Sequence, residues 1–179
     1  MTVKRDLKPT IRAIRADVKY KRLRENFNNL PIYQIAVDTL LAEISTLHQI
    51  REVRRLNTSD PHFIDRLIKA NTQDQSSRGR LTEILMTCLK ASQTLERACT
   101  ALRHHILMEF TDELKSFRTK EERMYIIDMA LSTFTRYIDR TKLLTDTARL
   151  VIDDIDKGSW SIRLSVQALQ IDRKREATI

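Results

Sequence analysis

The sequence predicts an all-α protein, because glycine and proline are scarce and apolar residues recur at helical spacings. The chain has only two glycines and three prolines among 179 residues, well below the usual shares of about 7% and about 5%. Turns and sheets need both residues, so their scarcity favours a few long helices. We expect a long antiparallel, coiled-coil-like helical hairpin, preceded by a basic N-terminal amphipathic helix and two shorter helices.

The first predicted helix begins near Pro9, since proline suits the first turn of a helix. Basic residues follow the apolar ones at the same rhythm, so one amphipathic helix should carry two adjacent stripes. Asparagines at 26, 28 and 29 mark its end. We assign residues 1–29 to a basic helix or arm and residues 30–179 to the helical body. The apolar stripe of the first helix comprises Leu7, Ile11, Ile14 and Val18.

The positive charge of the chain is concentrated in this helix. Nine of the first 24 residues are Lys or Arg and two are Asp, which gives +7 of the chain's +8. Net charge informs about association and not about fold, and Lys and Arg neutralise phosphates without reading base sequence. Few aromatic rings lie nearby to stack on bases, so binding should be directed to the backbone. The predicted nucleic-acid-binding residues are Lys4, Arg5, Lys8, Arg12, Arg15, Lys19, Lys21, Arg22 and Arg24, with Arg78 and Arg80 in a predicted loop.

Two shorter helices and a loop should follow. The second helix is expected from about Pro31 to Leu56, and Thr58-Ser59-Asp60-Pro61 would supply the N-cap and first-turn proline of a third. That third helix carries Phe63, Ile64, Leu67 and Ile68. The apolar pattern then fails over residues 71–80, which are rich in Asn, Gln, Ser and Gly, and predicts a loop or hinge there.

Two heptad seams predict the hairpin itself. The sequence Thr119-Lys-Glu-Glu122 between them is a capping box that begins the second long helix. The two seams should cover each other in part, and a homo-oligomer would bury the rest. The first seam is Leu81, Leu85, Cys88, Ser92, Leu95, Cys99, Leu102 and Ile106, and the second is Ile127, Leu131, Phe134, Ile138, Thr141, Thr145, Ala148, Ile152 and Ile155. The residues expected at the oligomer seam are Leu81, Leu85, Leu95, Leu102, Ile106, Ile127, Leu131, Phe134, Ile138 and Ile152.

Residues 159–171 fit two structures. Trp160, Ile162, Leu164 and Val166 alternate with polar residues as in a strand, but a strand would have no partner in this chain. A helix is favoured, with Gly158 as a kink or cap.

The sequence indicates no catalytic, cofactor or metal site. The two glycines are too far apart for a phosphate loop, and His104 and His105 diverge by about 100° on a helix. Cys88 and Cys99 are expected to be buried thiols. Asp153, Asp154 and Asp156 are expected to form a solvated acidic face paired with Arg149 and Lys157. The chain shows neither a signal peptide nor a membrane-length apolar run, so we expect a soluble, cytoplasmic, non-enzymatic protein.

The C-terminal part of the chain resembles a known family. Residues 120–171 combine a charged helix start, a long amphipathic helix, Asp154-Ile155 and Trp160-Ser-Ile162-Arg163. In this they are similar to the C-terminal region of the UvsY-like recombination mediators of T-even phages. The resemblance implies a small helical oligomer that binds single-stranded DNA and loads a recombinase onto DNA covered by single-strand-binding protein. It covers about 50 residues. The alternative is a structural or adaptor protein of a larger assembly such as a phage particle.

Overall fold

The computed structural model describes residues 7–51 and 62–176, with side chains up to residue 167. Within these ranges the chain is helical and has no strand, which confirms the all-α prediction. The helices are α1 (Lys8–Ala16), α2 (Val18–Asn29), α3 (Val37–Gln49), α4 (Phe63–Glu109), α5 (Thr111–Lys115) and α6 (Lys120–Glu176). Helices α4 and α6 pack against each other and are 47 and 57 residues long, or about 70 and about 85 Å at the standard rise.

The prediction of a loop at residues 71–80 is wrong, because this segment lies inside α4. The predicted third helix and the helix of the first seam are therefore one helix. Asn, Ser and Gln are only weak to moderate helix formers, each costing well under 1 kcal/mol relative to Ala. Two polar residues of the segment, Asp74 and Ser77, are buried at 2% and 3% exposure. They occupy the inward face of α4 between the buried Ala70 and Leu81, where the sequence has no apolar residue.

The predicted first helix is two helices that meet at Asp17. Asp17 has φ −58° and ψ 146°, which is not helical. Its carboxylate accepts hydrogen bonds from the backbone N–H of Lys19 at 2.8 Å and of Tyr20 at 3.1 Å, as the N-cap of α2. The break ends the predicted stripe, so Val18 is 77% exposed. The apolar face of α2 is instead Tyr20, Leu23 and Phe27.

The predicted second helix begins later than expected, since α3 starts at Val37. The hydroxyl of Tyr137 bridges the preceding segment: it accepts from the Ile35 N–H at 2.6 Å and donates to the Ile35 carbonyl at 3.3 Å. The predicted end at Leu56 and the N-cap sequence at 58–61 lie outside the described residues.

Two local predictions in the second half of the chain are confirmed. The Glu122 N–H donates to Thr119 Oγ1 at 3.1 Å, and the Thr119 N–H donates to Glu122 Oε2 at 3.3 Å. These reciprocal bonds are the capping box that begins α6. The helix also continues through residues 159–171, so the helical alternative holds there. Gly158 lies within α6 and does not cap it.

The chain forms two compact units, through both of which α4 and α6 run. Unit 1 comprises Met1–Val37 and Thr87–Leu143, and unit 2 comprises Asp38–Met86 and Leu144–Ile179. The basic helices therefore belong to a compact unit and do not form a separate arm. This division replaces the predicted boundary at residue 30.

An aromatic cluster in unit 1 joins α2 to α6. Phe27 meets Phe134 and Tyr137 edge to face, with ring centroids 5.4 and 5.0 Å apart. Tyr20 packs at 5.6 Å against Phe134. Such pairs contribute about 0.5–1.5 kcal/mol each beyond the area they bury. The remaining core of this unit includes Ile14, Leu95, Leu102, Ile106, Leu114, Ile126, Ile127, Leu131 and Ile138.

The predicted seams form the core of the single chain. Leu81, Leu95, Ile106, Ile127 and Leu131 are 0% exposed, and only two members of the predicted oligomer seam, Leu85 and Ile152, are partly exposed. Other helices of the same chain cover these side chains, so they present no open seam to another copy. The heptad reading is right, but the residues assigned to the oligomer contact serve the monomer.

Candidate nucleic-acid interface

The whole net charge of the chain belongs to unit 1. By sequence, unit 1 has nineteen Lys and Arg against eleven Asp and Glu, and unit 2 has thirteen against thirteen. Unit 1 therefore carries +8 and unit 2 carries none. A positive potential confined to one compact unit attracts polyanions to that unit alone.

Helices α1 and α2 present this charge to solvent. Lys4 and Arg5 lie outside the described residues. The seven other predicted cations of this segment are all exposed. Four of them make no salt bridge with any acidic side chain that the structure describes, so their charges are free for a ligand. The exposed cations are Lys8, Arg12, Arg15, Lys19, Lys21, Arg22 and Arg24, and the four without a salt bridge are Arg12, Lys21, Arg22 and Arg24. We call these four the free cations.

Arg15 fastens α1 to α6. Its Nη2 donates to the Met129 carbonyl at 2.9 Å and its Nε to the Ala130 carbonyl at 3.3 Å. The Tyr20 hydroxyl donates to the same Ala130 carbonyl at 3.2 Å. Two donors thus converge on one carbonyl in the middle of a helix. Arg15 holds the basic helices in place and has part of its guanidinium left for an anion.

Lys19 is held by a histidine at the joint between α1 and α2. Lys19 Nζ lies 3.1 Å from His105 Nδ1, and His105 Nε2 lies 3.3 Å from the Asp17 carboxylate. The ammonium can only donate, so Nδ1 accepts and Nε2 carries the proton. Burial raises the pKa of Asp17, but hydrogen bonds from Tyr20, His105 and Lys19 outweigh it, and the pKa lies below its ordinary value.

The surface offers no ring for base stacking from α2. Tyr20 and Phe27 are 3% and 9% exposed, because both belong to the aromatic cluster. Without exposed rings, α2 has no platform on which unstacked bases could stack. That any binding is directed to the backbone stays a prediction.

Arg78 and Arg80 belong to unit 2, whereas α1 and α2 belong to unit 1. The two arginines lie on α4, and both are ion-paired. Arg78 donates to the Asp156 carboxylate at 2.6 and 3.1 Å, and Arg80 donates to Glu43 at 2.6 and 3.1 Å. The hydrogen bonds from Arg80 lower the pKa of Glu43. The prediction that these two residues form a basic loop is wrong, because they lie in a helix and acidic residues distant in sequence neutralise both.

The predicted acidic face at the end of the second seam is also paired differently. Asp154 bonds to Arg51 and lies 3.7 Å from His48 Nε2, and Asp156 bonds to Arg78. Arg149 lies 3.6 Å from Asp146 instead. Among the described residues, no three His, Cys, Asp or Glu side chains are placed to hold a metal ion.

The two cysteines are buried free thiols, as predicted. Burial raises the pKa of Cys88 and of Cys99 to about 11 each. Thiols of such high pKa are protonated at neutral pH and are poor nucleophiles.

A buried ion pair in unit 2 was not predicted from the sequence. Arg51 and Asp74 are 3% and 2% exposed, and the guanidinium donates to the carboxylate at 2.7 to 3.1 Å. The hydrogen bonds that Arg51 donates to Asp74 raise the pKa of Arg51, which burial alone would lower. A Cβ added at Gly158 would lie 3.1 Å from Arg51 Nη2. In the sequence, the only indication that Arg51 lies so close to α6 is the presence of Gly158 within a helical pattern.

Over the described ranges, none of the helices has an apolar stretch of the length that crossing a membrane requires. Comparisons of the chain with protein-family models, with curated proteins and with solved structures gave no match.

Proposed function

We propose that this protein is a non-enzymatic nucleic-acid-binding assembly factor that binds the phosphate backbone through α1 and α2. The observation that carries the proposal is the set of free cations on a unit of charge +8, in a chain whose other unit has a net charge of zero. Ionic side chains that are not neutralised internally are the ones that release counterions from a polyanion. Binding by phosphates alone is independent of base sequence.

The most specific form of this proposal is a phage recombination mediator that binds single-stranded DNA. The resemblance of residues 120–171 to the UvsY-like family supports it. A recombinase and a single-strand-binding protein would then be the protein partners. In that role the basic helices hold the DNA while the long helices carry the protein contacts.

The second candidate is a structural or adaptor protein of a larger assembly, such as a phage particle. Unit 1 exposes large apolar side chains beside its charge: Val18 and Met108 are each 77% exposed and Tyr125 is 54% exposed. Tyr and Met are typical of protein interfaces. In this role the basic helices would dock on an acidic protein surface.

The salt dependence of DNA binding separates the two candidates. The slope of log K against log salt is about −0.7 per phosphate contact on single strands and about −0.9 on duplex. Replacing the free cations by Gln removes four charges from exposed helix positions. We expect the slope on single-stranded DNA to shrink by about three units, and equally on unrelated sequences.

A matched variant replaces four exposed cations of unit 2 by Gln: Arg66, Lys69, Arg149 and Arg163. It should keep the wild-type slope, although its net charge falls by the same amount. If both variants lose affinity alike, total charge and not this surface governs binding. A wild-type protein that binds neither single- nor double-stranded DNA at low salt would refute the nucleic-acid proposal and favour the adaptor.

A further inference from the structure

The face of α6 that points away from its buried side carries a second heptad row in unit 2. The buried side of this stretch is formed by Ala148, Val151 and Ile155, at 0%, 7% and 0% exposure. The opposite face repeats at alternating spacings of four and three. We call it the outer row: Asp146, Leu150, Asp153, Lys157, Trp160 and Leu164.

The outer row exposes large apolar side chains. Leu150 is 71% exposed, Trp160 is 64% exposed and Leu164 is 44% exposed. Leu and Trp placed so far out of the core on one helix face indicate a surface that binds another protein. Unit 2 has a net charge of zero by sequence, so two such units can approach without mutual repulsion.

The order of charges in the outer row fits a second copy in antiparallel orientation. Let a two-fold axis pass between two α6 helices at the level of Ile155. Residues equally far before and after that point then face each other, so Asp153 faces Lys157 of the second copy and Leu150 faces Trp160. Asp146 faces Leu164, beside Arg163. Each residue of the outer row thus has one facing residue in the second copy, and the central charges are opposite in sign.

A parallel arrangement of the same row is unfavourable. It would set Asp146 against Asp146, Asp153 against Asp153 and Lys157 against Lys157 of the second copy. Like charges placed opposite each other disfavour association at an interface. The charge order therefore favours the antiparallel orientation over the in-register parallel one.

We infer that the outer row is a self-association surface, at which a second copy of this chain binds antiparallel about a two-fold axis beside Ile155. The contact is isologous, so every pair occurs twice. It spans 19 residues, about 27 Å of helix, and includes two Leu–Trp layers. An interface this small gives a weak dimer, with a dissociation constant on the order of tens of micromolar.

A charge-swap series tests the orientation without any nucleic acid. Sedimentation equilibrium from about 1 to about 500 μM should show wild-type dimer forming with concentration. Lys157→Asp puts Asp opposite Asp153 twice, so the dissociation constant should rise at least about tenfold. Adding Asp153→Lys to this variant recreates the opposite charges in exchanged positions, and the wild-type dissociation constant should return.

Two further variants control for unspecific effects. Leu150→Asp should abolish the dimer, whereas Ile68→Asp changes a residue on α4 that is 62% exposed and should leave it intact. Circular dichroism establishes that each variant keeps its helical content. A wild-type chain that stays monomeric throughout, a dimer that survives Leu150→Asp, or a double swap that fails to restore association would each overturn the inference.

Discussion

Replacing Arg51 by Met should be among the most damaging single substitutions in unit 2. The guanidinium is 3% exposed and donates to Asp74, itself 2% exposed, at 2.7 to 3.1 Å. Met keeps the apolar stem but leaves a buried carboxylate without its cation. Breaking such a pair from one side costs about 3–5 kcal/mol, a large part of a total stability of about 5–15 kcal/mol.

The assay is denaturant unfolding followed by circular dichroism, with amide hydrogen exchange to locate the loss in unit 2. Arg80→Met is the matched control, because Arg80 is 47% exposed in its pair with Glu43, and such surface pairs contribute about 0–1 kcal/mol. The double variant Arg51→Met/Asp74→Leu removes both charges and should recover most of the lost stability. A loss below about 1 kcal/mol in Arg51→Met, or a double variant less stable than the single one, would refute this reasoning.

Two other substitutions test the glycine and the cap. Gly158→Ala should lower the free energy of unfolding by about 1–3 kcal/mol, because the new Cβ would lie 3.1 Å from Arg51 Nη2. Gly79→Ala, with no atom within 4 Å of its Cβ, should raise it by about 0.5–1 kcal/mol in the same titration, and equal effects of the two would contradict the close approach. Asp17→Ala should cost about 1 kcal/mol at neutral pH. Since the folded pKa of Asp17 is lowered, its contribution is complete above the unfolded pKa of about 3.9 and is lost as the pH falls through the folded value. The difference between variant and wild type should therefore shrink in acid, and a difference that grows there would contradict this assignment.

The parts of the fold that the sequence predicted depend on repeated local patterns. Leu95 and Leu131 are buried because heptad spacing keeps one helix face inward over many turns. The Thr119 and Glu122 capping box needs only four neighbouring residues. Helix α4 was divided wrongly because Asp74 is buried by a partner that no local pattern reveals.

The sequence predicted the positive charge of the candidate site, but it did not predict which side chains pair with each other within the chain. The exposure of Arg22 follows from its place on an amphipathic helix. The break at Asp17 could not be predicted in this way, because a single Asp is compatible with a continuous helix. Only the structure shows that its carboxylate caps α2. Arg78 pairs with a residue 78 positions away, and such pairing depends on the tertiary fold.

The single-residue joint at Asp17 restricts changes in chain length around the basic surface. Helix α2 begins directly after Asp17, and Tyr20, Leu23 and Phe27 are all within its first ten residues. Inserting one residue between Val18 and Tyr20 would turn the rest of α2 by about 100° relative to its cap. Tyr20 and Phe27 would then point more than a quarter turn away from Phe134, and Arg22 would turn toward the core. Replacing a free cation changes only the charge of this surface, whereas an insertion or deletion within α2 also turns its aromatic side chains out of register with the cap at Asp17.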